Sequence, residues 1–439
     1  MTLKRAKRII AGFCCLVILL VSWLITVNAK SKLEKQAELI WQAKALMDEG
    51  IYVRAVPLLE EAAGYKTELS AQAEEELKKA YLSLIETRGY RRRLINLLEE
   101  QMRRPDASPL IFKEAAEFYL QTSKTTDALA ALRAGIGKTG DELLVDMYEK
   151  NRYVYETNRT TYDSLTAICG STIQVRVDGL WGLASSDGIL LIPCEYEKIS
   201  TYSAGRAIVK KDGEIYAINI DNNRIAKLRE RATDFGNYAD DRIPLLIDGT
   251  WKRATGEFVL GTAAFEEFGM YSGGYAAAKT EGKWGVVDIA LNWLIPAEYD
   301  EIIQDELGRC YARETIFARK DGKVYLFSGG LKNREVFDDA KPFSNEGYAA
   351  VKRNGKWGFI DTEGSEKIGF IFDDALSFGQ HLAAVKLGGL WGYISLSGQT
   401  VIEHKYLEAK SFSNGSAPVL SERGWQFITL LEYKGKAGI

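Results

Sequence analysis

The chain has 439 residues, too many for a single hydrophobic core, so two or three domains are expected. Lysine and arginine number 57 against 60 aspartates and glutamates, a formal charge of −3, and this even balance argues against nucleic-acid binding, which needs a concentrated basic face. Five cysteines without a Cys-x-x-Cys spacing and only two histidines, His381 and His404, supply neither a disulfide framework, a metal-ligand set nor a histidine-based triad, so no metal or cofactor is expected.

The chain opens with Lys4, Arg5, Lys7 and Arg8, followed by an uncharged apolar run from Ile9 to Val27. That run is long enough to cross a hydrocarbon layer of about 30 Å as a helix. The basic cluster before it predicts a cytoplasmic N-terminus and places everything after it outside. Residues 1–31 are therefore expected to form a basic start and a transmembrane signal anchor. The alternative is secretion after cleavage near Ala29, because Val27-Asn28-Ala29 resembles a small-residue cleavage site; the long apolar run favours the anchor.

From residue 32 to 160, alanine, leucine, glutamate and lysine recur at helical spacing. Ala43, Leu46, Gly50, Tyr52, Ala55, Leu59 and Ala62 follow the small–large pattern of a helical hairpin. The pattern returns at Ala80, Leu84, Gly89, Tyr90, Leu94 and Leu98, and again at Ala116, Tyr119, Ala128, Leu132 and Gly135. Three hairpins at steps of about 36 residues resemble tetratricopeptide repeats, although the usual prolines and the first-helix tryptophan are mostly missing. Such an array implies a groove that grips an extended peptide or a partner helix. Gly137-Lys138-Thr139 imitates the end of a phosphate-binding loop, but Leu132 stands where a glycine is required and a helix precedes it, so a helix C-terminal turn is expected.

Residues 165–439 read differently. Glycines at 179, 213, 249, 282, 322, 355, 389 and 424 recur with a mean spacing of 35 residues, which predicts about eight units. Each unit holds an apolar segment such as Ala349-Ala350-Val351-Lys352, a turn such as Asn354-Gly355, a Trp-Gly strand and a third segment such as Leu294-Ile295-Pro296-Ala297-Glu298-Tyr299. The Asp-Gly and Asn-Gly steps are hairpin signals. The proline marks a strand edge or bulge. About three strands per unit are expected. Trp181-Gly182, Trp284-Gly285, Trp357-Gly358 and Trp391-Gly392 form the structural core of the repeat, with the indole filling space between units and the glycine admitting a close neighbour. Asp338-Asp339 and Asp373-Asp374 could in principle serve acid–base hydrolysis, but their recurrence points to solvated turns. No residue carries a catalytic role.

The Gly-Lys-Trp-Gly phrase at 282–285 and 355–358, Ile295-Pro296-Ala297-Glu298-Tyr299 and the Ala-Ala-Val-Lys phrases resemble the bacterial WG (KWG) repeat family over about residues 170–430. The resemblance implies a β-rich repeat behind an export signal, with no shared catalytic residues. The fold class expected is multidomain α + β: a transmembrane helix, TPR-like all-α hairpins over 32–160, then an all-β WG-repeat domain that is either a propeller-like ring or an open β superhelix. The function expected is a non-enzymatic, membrane-anchored adaptor on the outer side of a bacterial cytoplasmic membrane, holding protein partners through its helical repeats. The alternative is cell-wall or polysaccharide binding, with exposed tryptophans stacking on sugar rings.

Overall fold

The computed structural model describes residues 28–228 and 231–433. They divide into two compact units, residues up to Tyr148 and residues from Glu149 onward. The run Ile9 to Val27 lies outside the described residues. Among those described, no helix is long and apolar enough to cross a membrane. The expected transmembrane helix, and with it the single-pass topology and outer-side location, is corrected on that finding.

In the first unit, residues 28–48 are helical (α1) and are followed by α2 (Tyr52–Ala63), α3 (Ser70–Ser83), α4 (Tyr90–Arg103), α5 (Pro109–Gln121), α6 (Thr125–Thr139) and α7 (Glu142–Asn151). Ala43, Ala55, Leu59, Ala80, Leu94, Leu98, Ala116, Ala128 and Leu132 share one buried cluster, so the small–large pattern read from the sequence is a packing pattern. Gly50 and Gly89 take φ of 77° and 94° in the connections before α2 and α4. A Cβ on Gly135 would stand 2.7 Å from both Phe112 and Leu144, so only glycine admits the close approach of α5, α6 and α7 there. Gly140, at φ 66°, ends α6 directly after Lys138 and Thr139.

The second unit contains eight four-stranded antiparallel sheets. Blades 1 to 7 occupy residues 164–196, 198–227, 232–265, 267–299, 301–337, 339–372 and 374–406; blade 8 takes 408–430 together with 155–157. Eight apolar clusters fill the eight seams between neighbouring blades. In one, Trp357 and Phe359 of blade 6 meet Ala375 and Phe378 of blade 7. In another, Trp425 and Phe427 of blade 8 meet Leu165, Ile173 and Val175 of blade 1, completing the circuit. The strand Tyr155–Thr157 pairs with Gly424–Leu430 as the outer strand of blade 8 and then leads directly into blade 1. The domain is therefore an eight-bladed β-propeller, and the open superhelix is excluded because the segment leading into blade 1 supplies the outer strand of blade 8 and the two blades share a core.

A repeat of 35 residues suffices for four strands because the first strand of most blades is only two residues long, as in Glu301–Ile302 or Asp374–Ala375. This strand is the one missed in the three-strand expectation. The second strands carry runs such as Ala276-Ala277-Ala278 and Ala383-Ala384-Val385, all fully buried, because each sheet packs on both faces and neither face alternates with solvent. The hairpin between second and third strands turns on two residues of positive φ, such as Asp212 (53°) and Gly213 (73°), or Asn354 (53°) and Gly355 (81°). Pro193 and Pro296 lie in outer strands, which are sheet edges and have no outer partner needing an N–H.

Candidate functional site

The glycine after each repeat tryptophan has a specific cause. A Cβ on Gly182, Gly285, Gly358 or Gly392 would stand 2.4, 2.4, 2.8 and 2.6 Å from the carbonyl oxygens of Ile192, Ile295, Ile368 and Ile402. The outer strand bulges toward the third strand at these points, where the pairing register shifts. The tryptophans themselves part into two groups. Trp357 and Trp391 are 4% and 6% exposed and fill seams. Trp181 and Trp284 are half-buried and, with Trp251, line a cavity of about 620 Å3.

That cavity is built by blades 1 to 5. Its position follows from the residue that succeeds the first strand in each blade. In blades 1 to 4 this residue is small: Thr166, Ser200, Gly236 and Gly269. In blades 5 to 8 it is large: Ile303, Lys341, Leu376 and Lys410. The cavity thus lies on the side of the ring where this residue is small.

The connection after the first strand of blade 5 adds a wall. It runs over residues 303–314, whereas its counterparts in blades 1, 3, 4, 7 and 8 hold six residues. Gln304 to Gly308 reach across the ring. Met270 N–H donates to Gly308 O at 2.9 Å, Asn237 Nδ2 donates to Leu307 O at 3.0 Å, and Leu307 packs with Met270, Ala239 and Ala167. Lys410 of blade 8 donates to Glu306 at 2.8 Å. Asp305 receives Arg309 Nε at 2.6 Å. Burial pushes the Glu306 carboxyl above its usual range, and the Lys410 ammonium only partly offsets this. Cys310, buried within the connection, is pushed up to about 12 by desolvation, which keeps it an inert thiol.

The remaining lining is aromatic and amide. Gln174 Nε2 donates to Ile199 O at 2.5 Å and to Asn237 Oδ1 at 3.1 Å, and Thr166 Oγ1 donates to Gln174 Oε1 at 3.0 Å. Glu267 and Lys198 complete ion pairs of 2.7 Å with Lys279 and Asp234. Asp338 and Asp373 bond Lys323 and Lys356, while Asp339 pairs with Arg319 and Asp374 accepts the Ala375 N–H, so the paired carboxylates brace strands and turns. Among the described residues no group of His, Cys, Asp or Glu is placed to hold a metal ion. His381 is exposed in a turn, and His404 lies in the outer strand of blade 7.

A family model described as the WG containing repeat matches residues 181–214, 255–284, 284–305, 336–357, 357–391 and 391–425. The C-terminal region carries WG repeats. Two of the six matches, 357–391 and 391–425, run from one tryptophan to the next, so there the WG unit spans a seam rather than a blade. The unmatched stretch after residue 305 includes most of the long connection of blade 5. Among curated proteins nothing matches the chain. Solved structures similar to it include Kluyvelomyces marxianus Hsv2, at 10% identity and TM-score 0.35 over 57% of this chain and 85% of that one. The Myceliophteria thermophila Cps50 (Swd1) beta-propeller domain follows at 11% and 0.34, covering 63% and 98%. A eukaryotic initiation factor stands at 9% and 0.41, covering 64% and 88%. None of these likenesses bears on function.

Proposed function

We propose that the chain is a non-enzymatic scaffold that binds protein partners, with the propeller cavity as one contact surface and the helical hairpins, read as a TPR-like array, as another. The observation that carries this reading is the engagement of the cavity's ionised groups. Lys198, Glu267, Asp305 and Glu306 are each held in an ion pair with Asp234, Lys279, Arg309 and Lys410, and Glu197 accepts the Gly213 N–H at 3.2 Å. Groups so engaged hold the ring together rather than exchange protons with a substrate, and leave aromatic and amide surface for recognition. In the helical unit, Trp41 is 71% exposed beside a groove of about 450 Å3 formed by α1 and α2, an apolar surface of the kind that marks a protein contact.

Cross-linking capture with the full chain tests the reading. Recovery of a defined protein, cross-linked at the helical groove or the cavity, is expected; recovery of polysaccharide alone would overturn it. Saccharide binding is the second reading, favoured by the half-buried Trp181, Trp251 and Trp284 around one cavity.

A further inference from the structure

Four tryptophans of the propeller lie under cations of the propeller itself. Arg176 lies 5.7 Å from the ring centre of Trp181, Lys279 5.9 Å from Trp284, Lys341 5.3 Å from Trp357 and Lys410 5.5 Å from Trp425. These cations come from two positions. One is the residue directly across the hairpin, as Arg176 is from Trp181 and Lys279 from Trp284. The other is the residue after the first strand, occupied by Lys341 and Lys410. Blade 3 has neither: Leu246 stands opposite Trp251, and Gly236 follows the first strand. Among the described residues no cation lies over Trp251; Trp391 of blade 7 has none either, but it is 6% exposed and fills a seam, whereas Trp251 faces the cavity.

Trp251 nevertheless lines the cavity, half-buried, beside Gly236. Of the four carboxylates that line the same cavity, Glu267, Asp305 and Glu306 are paired with Lys279, Arg309 and Lys410, and the one lining cation, Lys198, is held by Asp234; Glu197 alone is in no ion pair among the described residues. A cationic ligand finds there an indole and the unpaired Glu197 carboxylate, the combination that binds ammonium and guanidinium groups.

We infer that the cavity at Trp251 takes a lysine or arginine side chain presented by a protein partner, supplying from outside the cation that blades 1, 4, 6 and 8 supply from within. This rests on the reading of the propeller as a protein-binding surface.

The test follows indole N–H resonances of the full chain labelled at tryptophan, with Trp251 assigned through Trp251→Phe. The probes are Nα-acetyl-arginine amide and Nα-acetyl-lysine amide, set against Nα-acetyl-norleucine amide, spermidine and a neutral cello-oligosaccharide. A saturable shift of the Trp251 resonance with the two cationic amides, absent with norleucine amide, is expected. Leu246→Lys places a cation where Lys279 stands in blade 4 and should weaken the cationic amides about fivefold to thirtyfold. Leu246→Met, with the same thermal melting, should bind as the parent does. Equal binding of norleucine amide, unchanged binding by Leu246→Lys, or saturation by spermidine or the oligosaccharide alone would overturn the inference. If a captured protein partner is retained by Leu246→Lys, the scaffold reading stands and only the cation site falls; capture of polysaccharide alone removes both.

Discussion

Trp357→Ala is the sharpest test of what the repeated tryptophan does. The indole is 4% exposed and packs with Phe359, Phe372, Ala375 and Val385 in the seam between blades 6 and 7. A buried indole removes about 150–250 Å2 from water, worth about 4–6 kcal/mol at ~25 cal/mol per Å2. The alanine methyl retains part of that, and the seam relaxes only partly around the gap. The Lys341 contact, at 5.3 Å, is lost as well. The expected destabilisation is about 3–5 kcal/mol, which for a domain of this size lowers Tm by roughly 6–12 °C. Differential scanning calorimetry of the full chain, following the propeller transition, reads it directly. Leu331→Ala, at a site 77% exposed on the outer strand of blade 5, is the control and should stay within about 0.5 kcal/mol. A Tm drop below about 2 °C for Trp357→Ala would refute the assignment of the indole to seam packing.

Gly285→Ala should cost at least about 2 kcal/mol in chemical denaturation, because its Cβ would meet the Ile295 carbonyl at 2.4 Å. Gly137→Ala, in α6 with nothing within 4 Å, should instead stabilise the helical unit by up to about 1 kcal/mol. Asn158→Ala should lower propeller stability by about 1–3 kcal/mol in the same assay, since the side chain donates to Asp187 O and accepts from Phe427 N–H where the ring closes. Asp300, Asp338 and Asp373 are held below the ordinary 3.8 by the ammonium groups of Lys283, Lys323 and Lys356. The unfolded chain binds more protons in that window, so their contribution is present above pH 3.8 and lost as pH falls through the depressed values. Denaturant midpoints taken at descending pH should fall more steeply in the parent than in an Asp300→Asn, Asp338→Asn, Asp373→Asn variant. Lys410→Met leaves Glu306 without its partner from blade 8, so the amides of Leu307 and Gly308 should exchange hydrogen faster than in the parent.

Much of the ring was legible in the sequence. The glycines from Gly179 to Gly424 all take positive φ at the hairpin between second and third strands, a demand that only a few residue types meet cheaply, so it leaves a mark at every repeat. The first strands left none: two residues such as Asp339-Ala340 are too short to show a period. The long connection of blade 5 did leave a trace, since Gly282 to Gly322 is the widest interval between turn glycines, yet spacing alone cannot say that the extra residues cross the ring. The cavity was hidden for another reason. It depends on single residues, small at Gly236 and Gly269 and large at Lys341 and Lys410, whose equivalence emerges only once the first strands are placed. Trp251 looked like a degenerate copy of the repeat because Lys252 follows it; in space it lines the cavity with no cation over its ring.

The closing strand has a consequence for synthesis. Tyr155 pairs with Leu430, so the segment that seals the ring leaves the ribosome some 275 residues before the strand it must pair with. At roughly 5–20 residues per second that is an interval of about fifteen seconds to a minute. During it, the helical unit can already be folded, while blade 1 waits with the face that later meets Trp425 and Phe427 open to solvent. The apolar residues Leu165, Ile173 and Val175 are the ones so exposed, and they make the first-made blade, rather than the last, the part of the nascent chain that a chaperone would have most reason to hold.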